Sequence, residues 1–297
     1  MQTHAPYKYI ATKSIYKRAI NHFYLKNWWY TPRCTLPLAR LACACTLAFG
    51  AHGTWAQPAP PPELPLLLQT QATGELNPAW RFVGFPAQHT PLPPSRFEAG
   101  VVNGTPALRV TTQASYGTWV YRWATPKTTP ATPLTWRWRV DRPLTGGTAP
   151  AQLHTKAGDD AALKLCVMFD HPLERVPFVE RTLLRVARGV SGEPLPAATV
   201  CYVWDPLLPP GTTGTNPYTR RVRFVSLGGP AAQLGQWSIE SRNVAADFRL
   251  LFADELGPDP ATAVPALTAV VLGADSDNTA SASTAWVAHV GWATPGH

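Results

Sequence analysis

The chain reads as all-β, a jelly-roll-like antiparallel β-sandwich with one or two short inserted helices, on three observations. Short aromatic-rich runs recur through residues 80–292, clusters of Gly, Pro and Asn separate them, and several runs alternate strictly between apolar and polar positions. In LTWRWRVD (134–141), Trp136 and Trp138 share one side while Arg137 and Arg139 share the other, as a half-buried sheet face requires.

Taken in order, the predicted strands are WRFVGF (80–85), SRFEAGVV (95–102), PALRVTT (106–112), GTWVYRW (117–123), LTWRWRVD (134–141) and AALKLCVMFD (161–170). They continue with ATVCYVWD (198–205), RRVRFVSL (220–227), GQWSIESR (235–242), AVPALTAVVLGAD (263–275) and STAWVAHVGW (283–292). The last two flank the string DSDNT, Asp275 to Thr279, and together read as a strand, an acidic turn and a returning strand that closes the sandwich. Two stretches depart from the pattern. FVERTLLRVARGVSG, between Pro177 and Gly192, spaces Phe178, Leu183, Val186 and Val190 at near-helical intervals. NVAADFRLLFADELG (243–257) reads as one helix capped by Asn243 and ended by Gly257 and Pro258.

Residues 1–56 carry seven Lys/Arg and no Asp/Glu, followed by the apolar run Leu41 to Ala51 and the small-residue site Thr54-Trp55-Ala56. This predicts a signal peptide cleaved after Ala56, and hence a periplasmic or secreted protein. The apolar run is too short for a span of roughly 20 residues, so no membrane span is expected after cleavage. With the leader gone, 19 Lys/Arg face 18 Asp/Glu. No field for nucleic acid remains, and none is expected as a partner. Residues 57–70, opening QPAPPPELP, read as a Pro-rich linker, and 71–297 as one sandwich domain. Of five cysteines only Cys166 and Cys201 survive cleavage. In an oxidising compartment they can pair, and the alternative is two small buried hydrophobes.

The segments TWRWRVD, KAGDDAALKLCVMFD, YVWD, GQWSIESRNVAADFRLLF and ADSDNTASASTAWVAHVGW, in this order, resemble the exported bacterial proteins grouped as DUF3047. The resemblance spans roughly Trp80 to Trp292. It implies an export signal and a jelly-roll-like sandwich similar to carbohydrate-binding modules, and it implies no reaction.

Candidate chemistry is sparse. Asp275 and Asp277, one residue apart, project to the same side of an extended segment beside Asn278. With Asp160, which precedes a strand, they form a candidate metal set of hard oxygens that Ca²⁺ would suit, the alternative being turns that bond their own backbone. Trp136, Trp138 and Trp204, sharing parity with Tyr202, are the candidate ligand-binding platform, against the reading that such rings fill the core. No G-x-S-x-G, H-E-x-x-H or phosphate loop occurs, so catalytic residues are unassigned. The sequence thus favours a non-catalytic module that binds a glycan or other envelope polymer. A glycan hydrolase or lyase using paired carboxylates, and a structural envelope partner, stand as alternatives.

Overall fold

Alternating and continuous apolar runs demand two different environments, and the computed structural model supplies both. It describes residues 60–69, 74–84, 92–148, 151–191, 195–259 and 261–293. The expected signal peptide, 1–56, lies outside them. Among the described residues twelve strands form two sheets: β1 (Arg81–Val83), β2 (Arg96–Val102), β3 (Thr105–Gln113), β4 (Tyr116–Lys127), β5 (Leu134–Thr145), β6 (Ala161–Phe169), β7 (Ala198–Val203), β8 (Thr213–Asn216), β9 (Thr219–Ser226), β10 (Ser238–Arg242), β11 (Leu267–Asp275) and β12 (Ala282–Trp292). The larger sheet has seven strands in the order β1-β4-β11-β6-β7-β9-β8, and the smaller has five in the order β10-β5-β12-β3-β2. Pairing is antiparallel except between β7 and β9, which run parallel.

One expectation is corrected by this topology. β11 pairs with β4 and β6 in the larger sheet, whereas β12 pairs with β3 and β5 in the smaller. The DSDNT turn therefore carries the chain across the sandwich and does not close a hairpin. Turn residues declare a reversal, and only the partner strands decide which sheet receives the returning chain.

The core lies between the sheets. Trp136 and Trp138 of β5 are fully buried there in an edge-on pair, and Tyr202 of β7 packs 5.1 Å from Trp136 across the sandwich. The intervening Arg137, Arg139 and Asp141 of β5 point away from it, so the alternation visible in the sequence is the alternation of the sheet. β11 sits mid-sheet, with Ala269 to Asp275 buried throughout, because its outer face is covered as well. Leu153 supplies part of that cover, packing with Ala269 and Val271, while α1 (Phe178–Ser191) buries its Leu184 against Val176 and Ala197.

The stretch 243–257 forms two helices, α2 (Val244–Leu251) and α3 (Ala253–Leu256), and not one. Asn243 caps α2 by accepting from the Ala246 amide, Phe252 leaves the helical region at φ −111°, and Gly257 ends α3 at φ 78°. Two arginines of β9 meet α3 in a buried ionic cluster: Arg221 and Arg223 both bond Glu255, which also takes a 3.0 Å contact from His171 Nε2. The Pro-rich stretch expected to link is packed where it is described. The carbonyls of Pro62, Glu63 and Pro65 accept the indole N–H groups of Trp292, Trp123 and Trp80, and Leu67 and Leu68 are buried. Among the described residues no helix is long and apolar enough to cross a membrane.

Candidate functional site

A groove with a cavity volume of about 320 Å³ runs over the outer face of the seven-stranded sheet. Strand parity builds its floor. Lys164, Cys166 and Met168 of β6, Thr199, Cys201 and Val203 of β7, and Val271, Gly273 and Asp275 of β11 all face it. Alternate residues such as Leu165, Tyr202 and Leu272 face the core. Cys166 and Cys201 stand directly opposite each other in the β6–β7 register and form a disulfide in the floor.

Three loops tied by hydrogen bonds make one end of the groove. Asp160 Oδ2 accepts from the amide and hydroxyl of Thr279 at 2.6 and 2.7 Å, and its Oδ1 accepts from the Asn278 amide. The Asn278 side chain donates to the Asp159 carbonyl at 2.6 Å, and the Asp159 carboxylate accepts from the side chain of Asn216, the last residue of β8. The Tyr218 hydroxyl donates to the Lys156 carbonyl. Asp275, at the end of β11, accepts from the Ala161 amide at 2.9 Å and from the Lys164 ammonium at 2.8 Å.

These contacts bring Asp160, Asp275 and Asp277 together: each places a carboxylate oxygen within 4.8 Å of the others, a spacing that could hold a metal ion. Asn278 joins the same rim, although its bonds go to Asp159 and Asp160. The electrostatics follow from crowding three carboxyls. Burial and the neighbouring Asp275 charge push the Asp160 carboxyl up against the lowering effect of its bonds from Thr279 and Asn278. Burial works to lower the Lys164 ammonium, but Asp275 and Asp159 hold it above its ordinary value. The hydroxyls of Tyr116 and Tyr218 are raised by burial first and then by the same aspartates, Tyr116 against a lowering effect of Lys164.

The expected aromatic platform is not available. Trp136, Trp138 and Tyr202 are fully enclosed between the sheets and Trp204 is 6% exposed, so no flat ring face among them meets solvent. The reason lies in the run itself: with arginines on one side of β5 and tryptophans on the other, the rings go to the interior, where truncating one would cost about 3–5 kcal/mol. Trp286 and Trp237 instead lie on the outer face of the smaller sheet, where Arg109 and Arg137 stack over them. Sequence reasoning missed Lys164 and Thr199. Their parity with Cys166 and Cys201 was the available signal.

This geometry defines a class: a jelly-roll-like β-sandwich with a walled, acid-rimmed groove on its larger sheet. The chain belongs to the DUF3047 family of proteins of unknown function, whose family model matches residues 78–291. No curated protein matches it. Among solved structures it is similar to a family 28 carbohydrate-binding module specific for non-crystalline cellulose, at 13% identity and a TM-score of 0.34, covering 80% of this chain and 97% of that one. A family 11 module from a Clostridium thermocellum cellulase matches at 6% identity and 0.32, covering 78% and 95%. A Cel12A cellulase derived from that of Rhodothermus marinus matches at 10% and 0.31, covering 72% and 96%. At these identities and scores the likeness carries neither a ligand nor a site across.

Proposed function

We propose that this protein is an exported, non-catalytic binding module that seats a hydroxyl-rich ligand, a segment of a glycan or similar envelope polymer, in the groove over its larger sheet. The observation that carries this reading is an apolar floor of Cys201, Val203, Phe224 and Val271 running into a rim of aspartates with Lys164. A sugar offers C–H faces to such a floor and hydroxyl edges to such a rim. The cavity volume sits at the lower end of the roughly 300–1,000 Å³ typical of small-ligand sites, room for a short segment of chain.

Export is supported by the basic, apolar leader and by the Cys166–Cys201 disulfide, which persists in oxidising compartments. Ca²⁺ at Asp160, Asp275 and Asp277 is the finer reading of the rim. Its hard oxygens suit that ion, while the Lys164 ammonium already balances Asp275 and competes with it. A hydrolase would need one carboxyl to deliver a proton and another to attack or activate water. Asp160 and Asp275 instead spend their oxygens on loop amides, the Thr279 hydroxyl and Lys164, which favours binding over catalysis.

A glycan array and pull-downs on cell-wall and capsule polymers, with and without chelator, test the proposal. Retention on a polymer without release of new reducing ends supports it. Turnover of the polymer would move the protein to the hydrolase class, and retention on none would remove the glycan reading.

A further inference from the structure

We infer that the ligand of this groove is a saccharide carrying a hydrocarbon chain, its sugar at the aspartate rim and its chain laid along the aliphatic floor toward α1. This rests on the glycan reading above and names the chemistry of the rest of the molecule.

Polarity divides the groove. Its polar groups gather on the loops: Asp159 and Asp160 before β6, Asn216 and Tyr218 where β8 turns into β9, and Asp277 after β11. Beyond Lys164 the floor is Met168, Val203, Val222, Val271 and the Cys166–Cys201 disulfide, and Leu184 of α1 with Leu195 and Pro196 continues it into one wall. Two polar residues in that part lie out of a ligand's reach. The Thr199 hydroxyl oxygen is shut off from solvent, which leaves its methyl to face the groove. Arg221 is 2% exposed, and its guanidinium is held by Glu180, Glu255 and the Ala197 carbonyl.

A sugar ring carries hydroxyls around its whole edge. Seated against that wall it would strip water from them and offer them no partner, a cost that a hydrocarbon does not incur. Nor does this part of the floor present an open aromatic face on which a sugar could stack. Among the described residues its one ring is Phe224, 5% exposed and packed under Gly214, where an added methyl would meet the ring at 2.5 Å. The register fixes the length of the apolar track. Lys164 pairs with Val203 and Met168 with Thr199, four residues along the same strands, so the track runs roughly 13 Å from the Lys164 end. The helix that carries Leu184 is itself amphipathic. It exposes Phe178, Val179 and Val186 beside Arg185, the composition of a helix at a lipid–water boundary, which is where such a ligand is met.

Calorimetric titration of the purified protein tests this with hexyl, octyl and decyl maltosides, each below its micelle concentration, beside maltotetraose and octanol. Each added methylene should tighten binding about threefold, the transfer worth of a buried CH₂ group. Octyl maltoside should bind at least about tenfold tighter than either maltotetraose or octanol, because only it fills both parts of the groove. Val222→Trp, which fills the floor, and Leu195→Asp, which sets a charge in the wall, should each remove the dependence on chain length, with melting curves confirming that each variant is folded. A flat chain-length series, with maltotetraose bound as tightly as octyl maltoside, overturns the inference and leaves the glycan reading standing. Octanol bound as tightly as octyl maltoside overturns the saccharide head and the glycan reading with it. Chain-length dependence that survives in both variants places the chain elsewhere and overturns the inference. Absence of binding by every probe overturns both.

Discussion

The Lys164 ammonium lies 2.8 Å from Asp275 Oδ2, joining two neighbouring strands on the outer face of the larger sheet. Asp275 is 6% exposed, so its charge depends on that ammonium and on the Ala161 amide. Lys164→Met should destabilise the fold by about 2–4 kcal/mol, because it leaves a buried carboxylate without its cation. Adding Asp275→Asn should return part of the loss. Urea melts of the single and double variants measure both, and a double variant no better than the single would show the pair to be inert.

Acid sensitivity follows from Glu255. Burial pushes its carboxyl up, but hydrogen bonds from Arg221 and His171 and the charges of Arg221 and Arg223 outweigh this and hold it at about 2, below the ordinary 4.5. A depressed folded value means stability present above pH 4.5 and lost as pH falls toward 2. The loss should approach about 3 kcal/mol. Asp160 has the opposite sign: its raised carboxyl relieves a cost as it protonates, so the rim should tolerate mild acid better than the Glu255 cluster. Thermal melts from pH 7 to pH 3 should show a decline that Glu255→Gln flattens while lowering stability at pH 7.

The disulfide closes a sequence separation of 35 residues that includes α1. Chain entropy places its contribution at about 4 kcal/mol. Cys166→Ala with Cys201→Ala should lower the melting temperature by several degrees without abolishing the fold, since β6 and β7 keep their ladder and the core beneath it. Differential scanning calorimetry of oxidised, reduced and double-alanine protein checks this. Identical melts for all three would contradict it.

Residues 62–68 should behave as part of the domain. Three indole hydrogen bonds at about 1 kcal/mol each, plus burial of Leu67 and Leu68, make deletion of 60–69 costly by about 5 kcal/mol. Trp80, Trp123 and Trp292 would lose their carbonyl partners, so intrinsic fluorescence should shift red. An unchanged melt and spectrum would return the segment to the status of a linker.

What the sequence disclosed divides along physical lines. Alternation in 134–141 and the apolar run before Asp275 place β5 and β11 correctly because period-2 patterning reports burial directly. The polar TGTN of β8 carries no such signal and stays invisible until β9 pairs with it. Parity put Trp136, Trp138 and Tyr202 on common faces but could not say inward, a choice that the arginines of the same strand settle. The rim was legible as acids. Lys164 was not, because it sits in a strand covered on both faces, where a lone polar residue within LKLCVMF reads as an interruption and not as an outward side chain.

Ligand should bind over the seven-stranded sheet and not on the Trp286–Trp237 face of the other. Saccharide affinity of the native protein, of Asp277→Asn and of Trp237→Ala, measured side by side with folding verified, separates the two faces. Asp277→Asn should lose at least about threefold, the worth of half a kilocalorie or more in a rim contact, and Trp237→Ala nothing. Loss with Trp237→Ala and none with Asp277→Asn would contradict it and move the site to the opposite face.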